Sequence, residues 1–167
     1  MDRVMIFIDG SNLFHACKAY DKNFKIDFLK LKEVLSEGRK LIRPYYYASF
    51  DPTSQSAEKQ KNFYRFLQRE GFRVVEKPLR LRNGFKIEKG VDVALVTDML
   101  SLGYKDAYDV AILVSGDGDF VHCLDKIRDL GKQIEVAIFK NSISSELALN
   151  TDRLTYLDNL RDKIEKK

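Results

Sequence analysis

Apolar residues recur along this chain in two alternating rhythms. "RVMIFI" (3–8) is an almost unbroken apolar run, which marks a strand covered on both faces. "DGSN" follows as a turn and helix start, with Ser11 or Asn12 as the cap, and "NLFHACKAY" continues as a helix. In "IDFLKLKEVLSEG" (26–38), Phe28, Leu29, Leu31, Val34 and Leu35 take helical spacing and stop at Gly38. "KLIRPYYYASF" (40–50) reads as a strand, with Pro44 near its start or at an irregularity. Residues 51–71 give a turn, a polar helix with Phe63, Phe66 and Leu67 on one face, and a glycine stop; "FRVVEKP" (72–78) is a further strand.

In "LRLRNGFKIEKG" (79–90), Leu79, Leu81, Phe85 and Ile87 alternate with Arg80, Arg82, Lys86 and Glu88 around Asn83-Gly84. A three-residue loop over 82–84 pairs Leu81 with Phe85 and Arg80 with Lys86, so the expected hairpin has one apolar and one basic face. "VDVALVTDMLSLGY" (91–104) is apolar enough to predict a buried helix, and "DVAILVSG" (109–116) a central strand. A helix over 119–131 follows, capped by Asp119 or Gly118 and ended by Gly131. Then come a strand (133–139), a short helix (142–151), a short strand (153–157) and a charged end.

This alternation predicts an α/β fold, with a mainly parallel central sheet and helices on both faces. At 167 residues the chain reads as one domain over 1–160, with a charged C-terminal tail over 161–167. The net charge of +4 permits a polyanionic partner without requiring one, and a homodimer is equally permitted. No stretch reaches membrane-span length, and "MDRVMIFIDG" lacks a signal-peptide pattern. Cys17 and Cys123 form no scaffold pattern, so a reduced, cytoplasmic protein is expected. "HAC" and "HC" lack ordinary zinc-ligand spacing, which disfavours zinc.

Ligands of parallel α/β sheets bind outside the carboxyl ends of the strands. Asp9 ends the first strand, and Asp117 and Asp119 follow the strand 109–115; Asp92 opens the apolar helix. If the two strands are neighbours, these carboxylates meet at one edge. Like charges brought together and buried unpaired cost several kcal/mol, roughly. Neither "IDGSN" nor "SGDGDF" holds a Lys or Arg, so a divalent cation is the natural counter-charge. Hard carboxylate oxygens suit Mg2+ or Mn2+. Ser11, Asn12 and Ser115 could hold a water or a phosphate oxygen, and Gly10, Gly116 and Gly118 would give substrate room. The plainer alternative makes each acid a turn or cap residue, Asp119 an N-cap above all. Other chemistries fit less well: there is no Walker loop, dinucleotide fingerprint, nucleophile elbow or first-strand Asp-x-Asp.

"FIDGSN", "KGVDVALVTDML" and "ILVSGDGDF", in this order and with "ISSELALNTDRLTYLD" near the end, resemble the NYN domain family. This is a branch of the PIN-like nuclease superfamily, and the LabA-type bacterial members are the nearest likeness. The resemblance covers nearly the whole chain. It implies a Rossmann-like three-layer sandwich. It also implies Asp9, Asp92, Asp117 and Asp119 as Mg2+ or Mn2+ ligands, with Asn12 orienting the first acid or a water. Asp98 would have a peripheral or helix-packing role.

The expected activity is metal-dependent hydrolysis of RNA phosphodiesters. Arg80, Arg82, Lys86 and Lys89, with Lys77 near, would grip a single-stranded backbone, and Phe85 or Tyr45 to Tyr47 would stack on bases. A non-catalytic RNA- or protein-binding regulator and a small-nucleotide phosphohydrolase are the alternatives.

Overall fold

The computed structural model describes residues 1–88 and 90–167. In chain order the elements are β1 (Arg3–Asp9), α1 (Gly10–Tyr20), α2 (Phe28–Ser36), β2 (Lys40–Phe50), α3 (Ala57–Arg69), β3 (Arg73–Pro78), β4 (Arg80–Arg82), β5 (Phe85–Ile87), α4 (Val91–Tyr104), β6 (Val110–Val114), α5 (Val121–Asp129), β7 (Gln133–Ile138), α6 (Ser145–Leu149), β8 (Arg153–Tyr156) and α7 (Arg161–Ile164). Six strands form one sheet in the order β3-β2-β1-β6-β7-β8, and every neighbouring pair is parallel. The chain builds outward from β1 in one direction, then returns to lay β6 on its other side. The reversal opens a crevice at the carboxyl ends of β1 and β6, the ligand position in such sheets.

Strand alternation divides the core into two layers. Val4, Ile6 and Ile8 pack with Leu13, Leu31, Leu67 and Ile164, under α1, α2, α3 and α7. Met5 and Phe7 pack with Leu95, Met99, Leu124 and Leu147, under α4, α5 and α6. The sheet is thus covered on both sides, as the apolar run 3–8 requires. Truncating any one of these fully buried aliphatic chains would cost about 2–5 kcal/mol. That rigidity fixes the strand ends from which the site is built.

Several local features depart from the sequence reading. The helix after β1 starts at once on Gly10, and its cap is Asp9, not Ser11 or Asn12. Asp117, rather than Asp119 or Gly118, caps the 3-10 turn 118–120 that leads into α5. The register of β1 on β2 slips between Val4 and Met5, which leaves Ile42 as the extra residue two positions before Pro44. Helix α4 buries only one side: Leu95 and Met99 are enclosed, while Val93 is exposed. The charged end over 161–167 begins with the helical turn α7 and is docked: Ile164 is fully buried and the Asp27 amide donates to its carbonyl at 2.8 Å.

The β4–β5 hairpin has a different register from the expected one. Arg80 faces Ile87, Leu81 faces Lys86, and Arg82 faces Phe85 across a two-residue Asn83-Gly84 turn. Asn83 (φ 52°) and Gly84 (φ 80°) are both left-handed, as a tight turn of this kind requires. Leu81 and Phe85 are each 74% exposed, so no buried face was present to set the register, and turn chemistry decided it. Facing residues share a side; each side of the hairpin therefore mixes basic and apolar chains. No helix among the described residues is long and apolar enough to cross a membrane.

Candidate functional site

Strand parity aims Asp9 at the α4 side of the sheet, where Met5 and Phe7 also lie. It is 3% exposed. Its Oδ1 accepts the Asn12 amide at 3.3 Å, and its Oδ2 accepts the Ser115 hydroxyl at 3.1 Å. Ser115 is fully buried at the end of β6, and its hydroxyl oxygen accepts the Asp117 amide at 3.2 Å. The Asn12 side-chain carbonyl accepts the Gly116 amide at 2.9 Å. The Asp117 carboxylate accepts the Asp119 amide at 2.9 Å. One hydrogen-bonded chain thus ties the first turn of α1 to the exit of β6. Asp9, Asn12, Ser115, Asp117 and Asp119 are brought together by these bonds. Ser11 is half-buried in the same turn, but no hydrogen bond joins it to these acids among the described residues.

The glycines serve packing rather than substrate room. A Cβ on Gly10 would lie 2.6 Å from the Tyr47 carbonyl oxygen and 2.7 Å from the Tyr46 ring. On Gly116 it would lie 1.8 Å from the Ser142 carbonyl oxygen, and on Gly118 2.8 Å from the Ser144 hydroxyl. The Ser144 amide also donates to the Gly116 carbonyl at 2.9 Å. Gly116 therefore lets the 142–144 segment press directly on the strand exit.

Charge completes the site. Burial raises the Asp9 carboxyl to about 6; the charges of Asp92 and Glu88 push the same way, against the Asn12 amide and the Ser115 hydroxyl. Asp92, in the first turn of α4, is also raised, by partial desolvation and then by Asp117, Glu88 and Asp119. The four expected acids share one electrostatic neighbourhood. Glu88 belongs to it as well, and the sequence reading placed it only among the hairpin's alternating charges. Its signal was an acid in a basic hairpin, four residues before Asp92. The amino ends of α1, α4 and α5 all meet here, and their partial positive charge offsets some of the repulsion. No described Lys or Arg forms an ion pair with Asp9, Asp92, Asp117 or Asp119.

In donor chemistry this set fits a hard divalent cation: several carboxylates, one deeply buried, with no described cation to pair them. In arrangement it is open. Among the described residues no three acidic, histidine or cysteine side chains are placed to enclose a metal ion.

The basic and aromatic candidates fare unevenly. Arg80 and Arg82 are exposed on the hairpin, as is Phe85. Lys86 is engaged by Asp51. Lys89 lies outside the described residues. Tyr46 and Tyr47 are buried, so they are core residues and not stacking platforms. The Tyr47 hydroxyl donates to Asp98 at 2.8 Å, which gives Asp98 a helix-packing role. Tyr45 is half-buried, its ring 5.5 Å from Phe7. Cys17 and Cys123 are both buried and free.

Comparison with known proteins bears on the fold and the family. The NYN domain profile matches residues 3–158. The chain is 29% identical to the low amplitude and bright protein LabA of Synechococcus elongatus, over 98% of this chain and 88% of that protein. It is 26% identical to an uncharacterized protein of Methanocaldococcus jannaschii, over 99% of this chain but 61% of that longer protein. A crystal structure of a protein of unknown function from Vibrio parahaemolyticus superposes with a TM-score of 0.82 at 22% identity, covering 99% of this chain and 96% of that one. The last likeness speaks for the fold alone.

Proposed function

The chain belongs to the NYN domain family, and from that membership and the acid site we propose that it is a ribonuclease using Mg2+ or Mn2+ to hydrolyse RNA phosphodiesters. The observation that carries this reading is Asp9, a buried carboxylate raised to about 6 among like charges with no described cation to pair it. Membership in a family of the PIN-like nuclease superfamily supports nuclease chemistry.

Asp9, Asp92, Asp117 and Asp119 would hold the ion. Once bound, it supplies Lewis-acid stabilisation of charge on the phosphate and a more acidic water. The chain's own residues prepare the site. Ser115 and the Asn12 amide fix the rotamer of Asp9. The Asn12 carbonyl clamps Gly116 and so sets where Asp117 leaves the sheet. The amino ends of three helices favour an incoming phosphate. Exposed Arg80 and Arg82 contact backbone phosphates, and Phe85 stacks on a base of a single strand. Two buried free thiols suit a reducing compartment, the cytoplasm.

One observation favours a second reading, a non-catalytic RNA-binding regulator of the same fold: no three described acids enclose an ion. Incubating the protein with labelled single-stranded RNA and Mn2+, beside Asp117→Asn, separates the two. The nuclease reading expects cleavage by the native chain and a loss of at least about a hundredfold in the variant. RNA binding without cleavage, equal in both proteins, would replace it with the regulator.

A further inference from the structure

A second feature lies beside the acid edge. Between β3 and α4 runs an open cleft of about 570 Å³, within the usual range for a small-ligand site. Arg73, Val75 and Lys77 alternate along β3 and so face the same way, and Arg80 follows from the hairpin. The opposite wall is α4 from Gly90 to Asp98, about 12 Å of helix, with Val93 and Asp98 among its lining residues. Asp92 lies in the first turn of that same helix. Gly90, two residues before Asp92, closes the end of the cleft nearest the carboxyl edge of the sheet; Asp92 itself is not among the lining residues and, at 3.6 residues per turn, stands on the other side of α4 from Val93, Ala94, Thr97 and Asp98.

No described acid forms an ion pair with Arg73, Lys77 or Arg80. Glu76 is taken by Lys61, and Asp51 by Lys86. Asp98, the one carboxylate among the described residues that line the cleft, accepts from the Tyr47 hydroxyl. A comparable cleft lined by Arg39, Lys132 and Arg153 has a different character, because those cations are matched by Glu135, Asp106 and Glu37. Among the described residues, three cations without an ion-pair partner thus meet the partly buried Val75 and the exposed Val93, with one fixed acceptor at the far end.

That combination matches a nucleotide unit: phosphate on the cations, base or ribose against the valines, and a hydroxyl or amino donor toward Asp98. We propose that this cleft holds a nucleotide of the RNA strand bound at the acid edge, reached past the amino end of α4, with Arg73, Lys77 and Arg80 on its phosphates. The inference rests on the RNA reading above and adds the path the strand takes from the site. A free nucleotide presents the same chemistry; the end of the cleft at Gly90, where α4 begins at the carboxyl edge of the sheet, favours a unit within a strand.

Binding of a labelled single-stranded oligoribonucleotide to full-length protein carrying Asp117→Asn, measured by anisotropy against salt, tests it. Arg73→Gln with Lys77→Gln is the cleft variant. Lys126→Gln with Lys163→Gln, exposed on α5 and α7, removes equal charge elsewhere. The proposal expects the slope of log affinity against log salt to fall by about 1.4 in the cleft variant, roughly 0.7 per lost phosphate contact on a single strand. The control pair should keep the native slope. Equal slopes in both variants would overturn the cleft assignment while leaving RNA binding itself intact. Adenosine monophosphate binding as tightly as the oligomer, with the same sensitivity to the cleft variant, would overturn the strand path in favour of a free nucleotide. No oligomer binding by any protein would instead refute the RNA reading.

Discussion

Replacing Asp9 by Asn removes a charge that the fold shelters at a cost. The residue is 3% exposed, and burial holds its carboxyl at about 6 against an ordinary 3.8. At 1.36 kcal/mol per pH unit that gap corresponds to about 3 kcal/mol. The direction follows from proton counting. Between pH 3.8 and about 6 the native state keeps a proton that the unfolded chain has released, so stability falls as pH rises through this window and stays lower above it. Raised Asp92 adds in the same sense. Asn preserves the acceptor for the Asn12 amide and can still pair with the Ser115 hydroxyl. In chelator at pH 7.5, Asp9→Asn should therefore be more stable than the native chain by up to about 3 kcal/mol, or roughly 6–12 °C in melting temperature for a domain of this size. The difference should shrink toward pH 4. Adding Mn2+ should raise the native melting temperature at pH 7.5 and leave the variant nearly unmoved. Circular-dichroism melts from pH 4 to 8 measure all of this. Parallel pH profiles, or a variant less stable at pH 7.5, would show that Asp9 acts as an ordinary helix cap, and the reasoning from uncompensated burial would fail.

Gly116→Ala should destabilise by about 3 kcal/mol or more, because its Cβ would lie 1.8 Å from the Ser142 carbonyl oxygen; a lower urea midpoint, and limited proteolysis within 140–144, would register the displaced segment. Asn12→Ala should cost about 1–2 kcal/mol through the unpaired Gly116 amide, and should lower RNA cleavage more than stability alone explains. Arg39→Ala strands the nearly buried Glu135, its partner at 2.7 Å on the opposite edge of the sheet; a loss of about 3–5 kcal/mol in urea unfolding is expected, with cleavage per folded molecule unchanged.

The architecture was legible because each strand carries its own burial pattern: the run 3–8 and the run 110–114 could only be central. Strand order was less accessible, yet neighbouring β1 and β6 was the one adjacency the acid cluster needed, and it holds. What the sequence hid depends on contacts between distant segments. Gly116 looks like a turn glycine until Ser142 is seen against it. Tyr46 and Tyr47 look like stacking residues until α1 and α4 cover them. The hairpin register went astray because amphipathic alternation carries no weight where neither face is buried, and Asn83-Gly84 decided instead. Glu88 was submerged in a basic run, although its field reaches both Asp9 and Asp92. The cleft along α4 needs residues from three elements, and no local motif announces it.

The central claim is that the four aspartates together hold a cation for phosphodiester hydrolysis. A crystal soaked in Mn2+ and measured for anomalous scattering tests it most directly. The account predicts one or two peaks at the carboxyl ends of β1 and β6, about 2.1 Å from carboxylate oxygens of Asp9 and of at least one of Asp92, Asp117 and Asp119. A fully soaked crystal with no peak among these residues, or with manganese bound only elsewhere, would contradict it.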